Sequence, residues 1–450
     1  MKKTFYSINI LLILLATSCE KFLDNDPPVQ DIVSQKVFNN EESANAAVVG
    51  LFSRMTARNN DAMNGFLSIF TGLAGDEIWN TSTNASYDAF KNNAILDNNS
   101  VIKANVWTPL YNYIYHANII IEQLNKSNII TGELKNRLLG EMYFTRSILH
   151  FYLINLFGDI PLILTTDYEL NRYAQKSNQE EVYKQITNDL LLAKDLLPES
   201  YTNTERIRPN KHAAKALLAR IYLYTKKYEL AIVEATDVIQ SGTYQLDSDL
   251  SNSFLPTSKE AIWQLYPTNT AYNTAEGFAF IPTNATARPA ISFYPRVTNG
   301  FEPNDKRKIG WTDTRTVSGV SYTYPSKYKI RINTEKSEYN TVLRLAELYL
   351  VRAEAKLNLD HIVDAIRDLN IIRSRAGISA LDESISKNEC FTAMIKERQN
   401  ELFAEWGHRW LDLKRWNMID QEIPKTKTGW ESSDSFFPIP YDEFIYNPYL

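Results

Sequence analysis

Residues able to do chemistry gather at a few places along this chain. In Gly75-Asp76-Glu77-Ile78-Trp79-Asn80, a Trp sits in polar, non-periodic sequence, with Asn84 and Tyr87 close behind it. An aromatic ring stacks on the axial C–H face of a sugar, and short amides and carboxylates bind its hydroxyls, so this composition suits a saccharide platform. Asp76, Trp79, Asn80 and Tyr87 are therefore candidate ligand contacts. Tyr294 and Trp311 join them, because both lie in segments rich in Pro, Gly and charge. The competing reading is that each ring plugs a core gap beneath its loop. Trp263 alternates with Ile262 and Leu265, and Trp107 precedes Thr108-Pro109; both read as structural.

A second group of carboxylates invites a test for hydrolysis. Glu397, Glu401, Glu405 and Arg409 follow one another at intervals of four. Glycosidases need two carboxyl groups flanking one bond, about 5 to 9 Å apart. Neighbours on one helical stripe project side by side and cannot flank a substrate, so ion pairing with Arg398 and Arg409 is the expectation. The five His are dispersed, without HExxH or any paired spacing for zinc. No G-x-S-x-G elbow and no phosphate-cradling Gly loop is present. No catalytic centre, metal or cofactor is expected.

The elements that position these groups are mostly helical. The Glu stripe belongs to MIKERQNELFAEWGHRWLDLKRW (394–416), where Ile395, Leu402, Trp406, Trp410 and Leu413 share a helical face. With three of the chain's eight Trp, it reads as a keystone for other helices, although Gly407 either marks a close crossing or divides it in two. Helical patterns also run from about 41, over 106–124 and 133–156, and over 180–197. Ala219 and Tyr222 are followed by Ala231 (twelve after Ala219), Ala235 and Val238, and Ala353, Ala365, Leu369 and Ile372 repeat the steps of twelve, four and three. Small residues so placed let antiparallel helices approach closely, as in tetratricopeptide units. Ala365 follows Ala231 by 134 positions, so these are not adjacent copies. Residues 241–340 break the pattern with seven of the seventeen Pro, and segments such as Ala261–Leu265 read as short strands. The expected fold class is mainly α: a tetratricopeptide-like scaffold carrying an irregular lobe of loops and short strands.

The N-terminus carries an address. Lys2 and Lys3 precede an apolar run from Ile8 to Leu15, and Ala16-Thr17-Ser18 precede Cys19. This is a signal peptide over 1–18, too short to span a bilayer. A Cys directly after small residues resembles a bacterial lipobox, with Cys19 acylated and two or more chains giving stable anchoring. Cys390 is the only other cysteine, which leaves no disulfide in the mature chain. The net charge of -5 supplies no basic excess, so nucleic acid is excluded as a main partner.

Several long motifs carry a resemblance. Cys19-Glu-Lys-Phe-Leu-Asp, RPNKHAAKALLARIYLYTKKYELAIVEATDVIQSGTYQL, LRLAELYLVRAEAKLN, DAIRDLNIIRSRAG, the 394–416 stretch and FFPIPYDEFIYNP resemble the SusD/RagB family, in its order and over nearly the whole chain. The chain stops at Asn447-Pro448-Tyr449-Leu450, where family members often continue. The resemblance implies 1–18 leader, 19–40 anchored extended segment, 41–240 helical region, 241–340 insert and 341–450 C-terminal region. It further implies a lipid-anchored protein of the outer membrane, facing outward. Such a protein takes up an oligosaccharide or other nutrient and passes it to a SusC-like TonB-dependent transporter. A glycan hydrolase and a ligand-free interaction scaffold are the alternatives.

Overall fold

Small side chains at the repeat positions bring helices together at close range. Ala219, Ala231, Ala235, Val238, Ala353, Ala365, Leu369 and Ile372 are all fully buried. The structure, a computed structural model, describes residues 37–450; the expected leader and Cys19 lie outside the described residues. Eleven helices make the frame: α1 (Glu41–Ala57), α2 (Phe66–Ala74), α3 (Thr108–Lys126), α4 (Gly132–Phe157), α5 (Gln179–Leu196), α6 (Lys211–Tyr224), α7 (Tyr228–Gln240), α8 (Leu345–Asn358), α9 (Ile362–Ala376), α10 (Lys387–Leu402) and α11 (His408–Arg415). Successive helices pack as pairs: α3 on α4, α4 on α5, α6 on α7 and α8 on α9. Helix α7 also packs on α8, so the two repeat units stack across the sequence that separates them. Local signals set the ends: capping boxes at Asn178/Glu181 and Ser386/Glu389 open α5 and α10, and Gly158, at φ +75°, stops α4.

The intervening lobe is tied down by pairs of short strands. β1 (Ile78–Asn80), β2 (Ala261–Leu265), β3 (Ile291–Phe293), β4 (Thr312–Val317), β5 (Val320–Pro325) and β6 (Asn340–Arg344) form three antiparallel pairs, β1–β3, β2–β6 and β4–β5. In the β4–β5 hairpin, Ser318 and Gly319 both have positive φ, as a two-residue turn that follows strand twist requires. The β2–β6 pair closes the base of the lobe where it joins α8. The β1–β3 pair fastens the lobe to the Asp76–Asn80 segment, which follows α2 and precedes a short helix at Ala85–Lys91.

The keystone is two helices. Ala404 and Trp406 have positive φ, and Gly407, at φ +74°, opens α11. A Cβ on Gly407 would lie 2.9 Å from Thr71 Oγ1 and 3.4 Å from Leu67 O, so α11 starts hard against α2. Trp406 and Trp410 are buried; Trp406 Nε1 donates to Thr341 O at 2.7 Å, and Trp410 stacks on Phe437 at 6.0 Å.

The Glu stripe is ion-paired, with partners other than those expected. Arg398 pairs with Asp412 at 2.7 Å and Arg409 with Asp76 at 2.8 Å. The stripe instead meets cations from the lobe and from α9. Arg307 reaches Glu397 at 2.5 Å and Glu401 at 3.2 Å. Arg344 reaches Glu401 at 2.5 Å and Glu405 at 2.8 Å; Arg375 pairs with Glu401, and with Glu260 at 2.6 Å. Lys327 pairs with Glu405. These groups are essentially buried. Three guanidinium groups hold the Glu401 carboxyl well below its usual range against the cost of burial.

Candidate functional site

The β1–β3 register brings two of the sequence-predicted residues together. Trp79 faces Ser292 across the ladder, and Tyr294 follows directly on Phe293, the partner of Ile78. The two rings lie 6.5 Å apart between centroids at an interplanar angle of 35°. Trp79 Nε1 donates to Phe293 O at 3.1 Å, and Tyr294 N donates to Glu77 O at 3.0 Å. The Trp79 ring is thus held by β3, and the Tyr294 backbone by the residue that precedes β1. Both are half-buried, which leaves part of each to solvent. Burial first, then the charge of Asp76, pushes the Tyr294 phenol up to about 12, so it stays an O–H donor at neutral pH. A tilted pair of half-exposed rings with a neutral hydroxyl can stack on sugar C–H faces and bind a hydroxyl.

Beneath the pair lies a charged footing. Asp76 is fully buried and takes Arg409 Nε at 3.0 Å, Arg409 Nη2 at 2.8 Å and Arg296 Nη2 at 2.5 Å. Despite burial, those cations hold its carboxyl below the usual range. Neighbouring Glu77, buried beside that charge, is pushed up to about 8, and its Oε1 has no hydrogen-bond partner. Two adjacent carboxyls in opposite protonation states are what acid–base chemistry uses. Asp76 and Glu77 are enclosed, however, so neither can reach a glycosidic bond in this conformation.

The other sequence-predicted contacts are enclosed and serve the frame in this conformation. Asp76 is the anchor just described. Asn80 is buried, and its amide is committed: Nδ2 donates to Asn84 O at 3.1 Å and Asp88 Oδ1 at 2.9 Å, while Oδ1 accepts from Ser82 N and Oγ. Tyr87 lies edge-on to Phe70 at 5.5 Å in the core. Trp311 has no exposed surface; its Nε1 donates to Leu250 O at 2.9 Å, and Lys327, Arg344 and Arg375 lie within 4.8 to 5.6 Å of its ring centroid. It roofs the buried ion network, where a ring face steadies cations removed from water. Trp263 and Trp107 are core, as read from sequence.

Arg296 and Tyr322 were not singled out from sequence. Arg296, two residues after Tyr294, is half-buried and holds Asp76 under the pair. Tyr322 lies on β5, which packs against β3, and Arg288 sits over its ring at 5.9 Å. The signal for Arg296 was its place in Tyr294-Pro295-Arg296; for Tyr322 nothing in sequence separates it from its neighbours. Among the described residues no group of three or more His, Cys, Asp or Glu could hold a metal ion. No described helix is long and apolar enough to cross a membrane.

Comparison with known proteins follows the same lines. Residues 21–223 match a SusD-like family described as starch-binding, associating with outer membrane, and residues 262–448 match the SusD family. Two SusD-like proteins of Formosa agariphila are each 25% identical, one over 98% of this chain and 97% of its own length, the other over 100% and 99%. A SusD superfamily protein of Bacteroides vulgatus shares the fold with a TM-score of 0.82 at 22% identity, covering 91% of this chain and 98% of that one. A laminarin-binding SusD-like protein does so with a TM-score of 0.75 at 21% identity, over 91% and 98%.

Proposed function

We propose that this chain, which belongs to the SusD/RagB family, is a non-catalytic capture protein. It takes an oligosaccharide at the cell surface and delivers it to a SusC-type TonB-dependent transporter. Its relatives include a laminarin-binding protein, and the matching family is described as outer-membrane associated, which supports a glycan as ligand and a membrane setting. The lipobox-like Cys19 supplies the anchor in this reading. The observation that carries the binding role is the Trp79–Tyr294 pair, half-exposed, tied by one indole–backbone and one backbone–backbone hydrogen bond and footed on Asp76. A rigid pair binds with little loss of side-chain freedom, which favours affinity.

Calorimetry or affinity electrophoresis against a panel of polysaccharides tests the site. For whichever glycan binds, Trp79→Ala with Tyr294→Ala is expected to weaken affinity by about tenfold or more, since it removes both stacking faces at once. Unchanged affinity in the double variant removes the platform assignment. The enclosure of Asp76 and Glu77 speaks against the hydrolase reading; release of reducing sugar on incubation with the bound glycan would favour it.

A further inference from the structure

A second cavity, of about 380 Å³, opens where α1, α4, the loop between α5 and α6, and the end of β2 meet. It shares no residue with the Trp79–Tyr294 pair. Its volume falls near the lower end of the range for ligand pockets, about 300–1,000 Å³. Among its lining residues are Arg137, Arg208, Asn45, Thr202, Asn203 and Tyr266.

These side chains divide into fixed and uncommitted groups. Arg208 is fixed: it pairs with buried Glu141, Nε to Oε1 at 3.1 Å, lies over the Phe52 ring at 5.6 Å and reaches Asn45 Oδ1 at 3.4 Å. Arg137 is half-buried on α4, yet among the described residues its guanidinium makes no hydrogen bond and no ion pair. The same holds for the side chains of Thr202 and Asn203 and for the Tyr266 hydroxyl. Tyr266 is 40% exposed, and its ring is steadied edge-on by Tyr339 at 5.2 Å, whose own hydroxyl donates to Glu205 at 2.6 Å.

The charge balance selects the ligand. Glu141 binds Arg208 and also feels the Arg137 charge, and no Asp or Glu lines the cavity, so one carboxylate faces two guanidinium groups and a net positive charge remains there. A half-buried guanidinium without a partner offers two parallel N–H donors to a carboxylate or sulfate. The Tyr266 face suits a sugar C–H face, and Thr202 and Asn203 suit hydroxyls. We propose that this cavity is a separate binding site for an acidic sugar residue, one bearing a carboxylate or a sulfate ester. Arg137 binds the anionic group and Tyr266 the ring.

The test is calorimetry on the full chain in low salt with three probes: trigalacturonate, glucose 6-sulfate and neutral maltotriose. One or both acidic probes bind; which one identifies the anionic group. Arg137→Gln and Tyr266→Ala each weaken that binding by about tenfold or more, as loss of a charged hydrogen-bonding partner does. Trp79→Ala with Tyr294→Ala leaves it unchanged, which separates this site from the platform. Affinity falls as salt rises. Arg137 makes no hydrogen bond or ion pair, so its variant is expected to keep the wild-type circular dichroism and a melting temperature within a few degrees of the natural protein's. Absence of binding by both acidic probes, equal binding in Arg137→Gln, or maltotriose bound as tightly at the same residues overturns the proposal.

Discussion

Glu77 holds a proton that an unfolded chain would release. Burial, then the Asp76 charge, moves its carboxyl from 4.5 to about 8. Its contribution to stability is therefore full below about pH 4.5, declines as pH rises, and is lost above about 8. Glu77→Gln keeps a neutral group in the same space. Its unfolding free energy, read from urea titrations between pH 5 and 8, is expected to fall less steeply with pH than that of the natural protein. Asp61, pushed up to about 7 by burial, leaves a residual slope of the same sign. Parallel curves would show that Glu77 titrates normally. Gly407 is sensitive for steric reasons: Gly407→Ala puts a Cβ against Thr71 in a left-handed backbone and is expected to cost about 1–3 kcal/mol, measured by the same titration. At this scale sequence composition has limited reach. Trp79 and Trp311 both sit in segments whose sequence shows no helical period; one is half-exposed on a strand, and the other ends a short helix, Lys306–Trp311, sealed under three cations. What separates them is contact with residues far along the chain, which local composition does not encode.

Among elements, the helices were legible and their ionic ties were not. The steps of twelve, four and three at Ala219–Val238 and Ala353–Ile372 report small residues at a helix–helix contact, a local property that sequence displays directly. The Glu397–Glu401–Glu405 stripe was equally visible, and ion pairing followed from it. Its partners did not, because any Arg or Lys has the right charge and only the fold brings Arg307, Lys327, Arg344 and Arg375 to it. Arg344 is the hub, touching Glu260, Glu401 and Glu405. Arg344→Met takes one cation from three buried carboxylates at once, leaving Arg307, Arg375 and Lys327 to share them, and is expected to cost about 3–5 kcal/mol, seen as a lower melting temperature. A cost below 1 kcal/mol would mean the carboxylates find other partners. The β1–β3 pairing, between segments 213 residues apart, was also beyond sequence reading, and with it the joining of Trp79 to Tyr294.

For the whole molecule, the proposed role depends on where the chain is held. With acylation at Cys19, palmitate label is expected to enter the natural protein and the protein to sediment with outer membranes. Cys19→Ala should abolish both while leaving glycan binding by the isolated protein intact. Retention of label in the variant removes Cys19 as the anchor.

The β2–β6 pair has a consequence at this scale too. Ala261–Leu265 and Asn340–Arg344 run antiparallel, so the lobe leaves and rejoins the scaffold at neighbouring points. A segment whose two ends are zipped side by side can lengthen or shorten at little entropic cost to what holds it. The lobe is thus an interchangeable cassette on a constant chassis, and ligand choice can diverge while the stacked helices stay the same. One condition travels with it. Because β3 pairs with β1, a transplanted lobe must bring its own version of residues 76–80, or the ring at position 79 loses the strand that aims it.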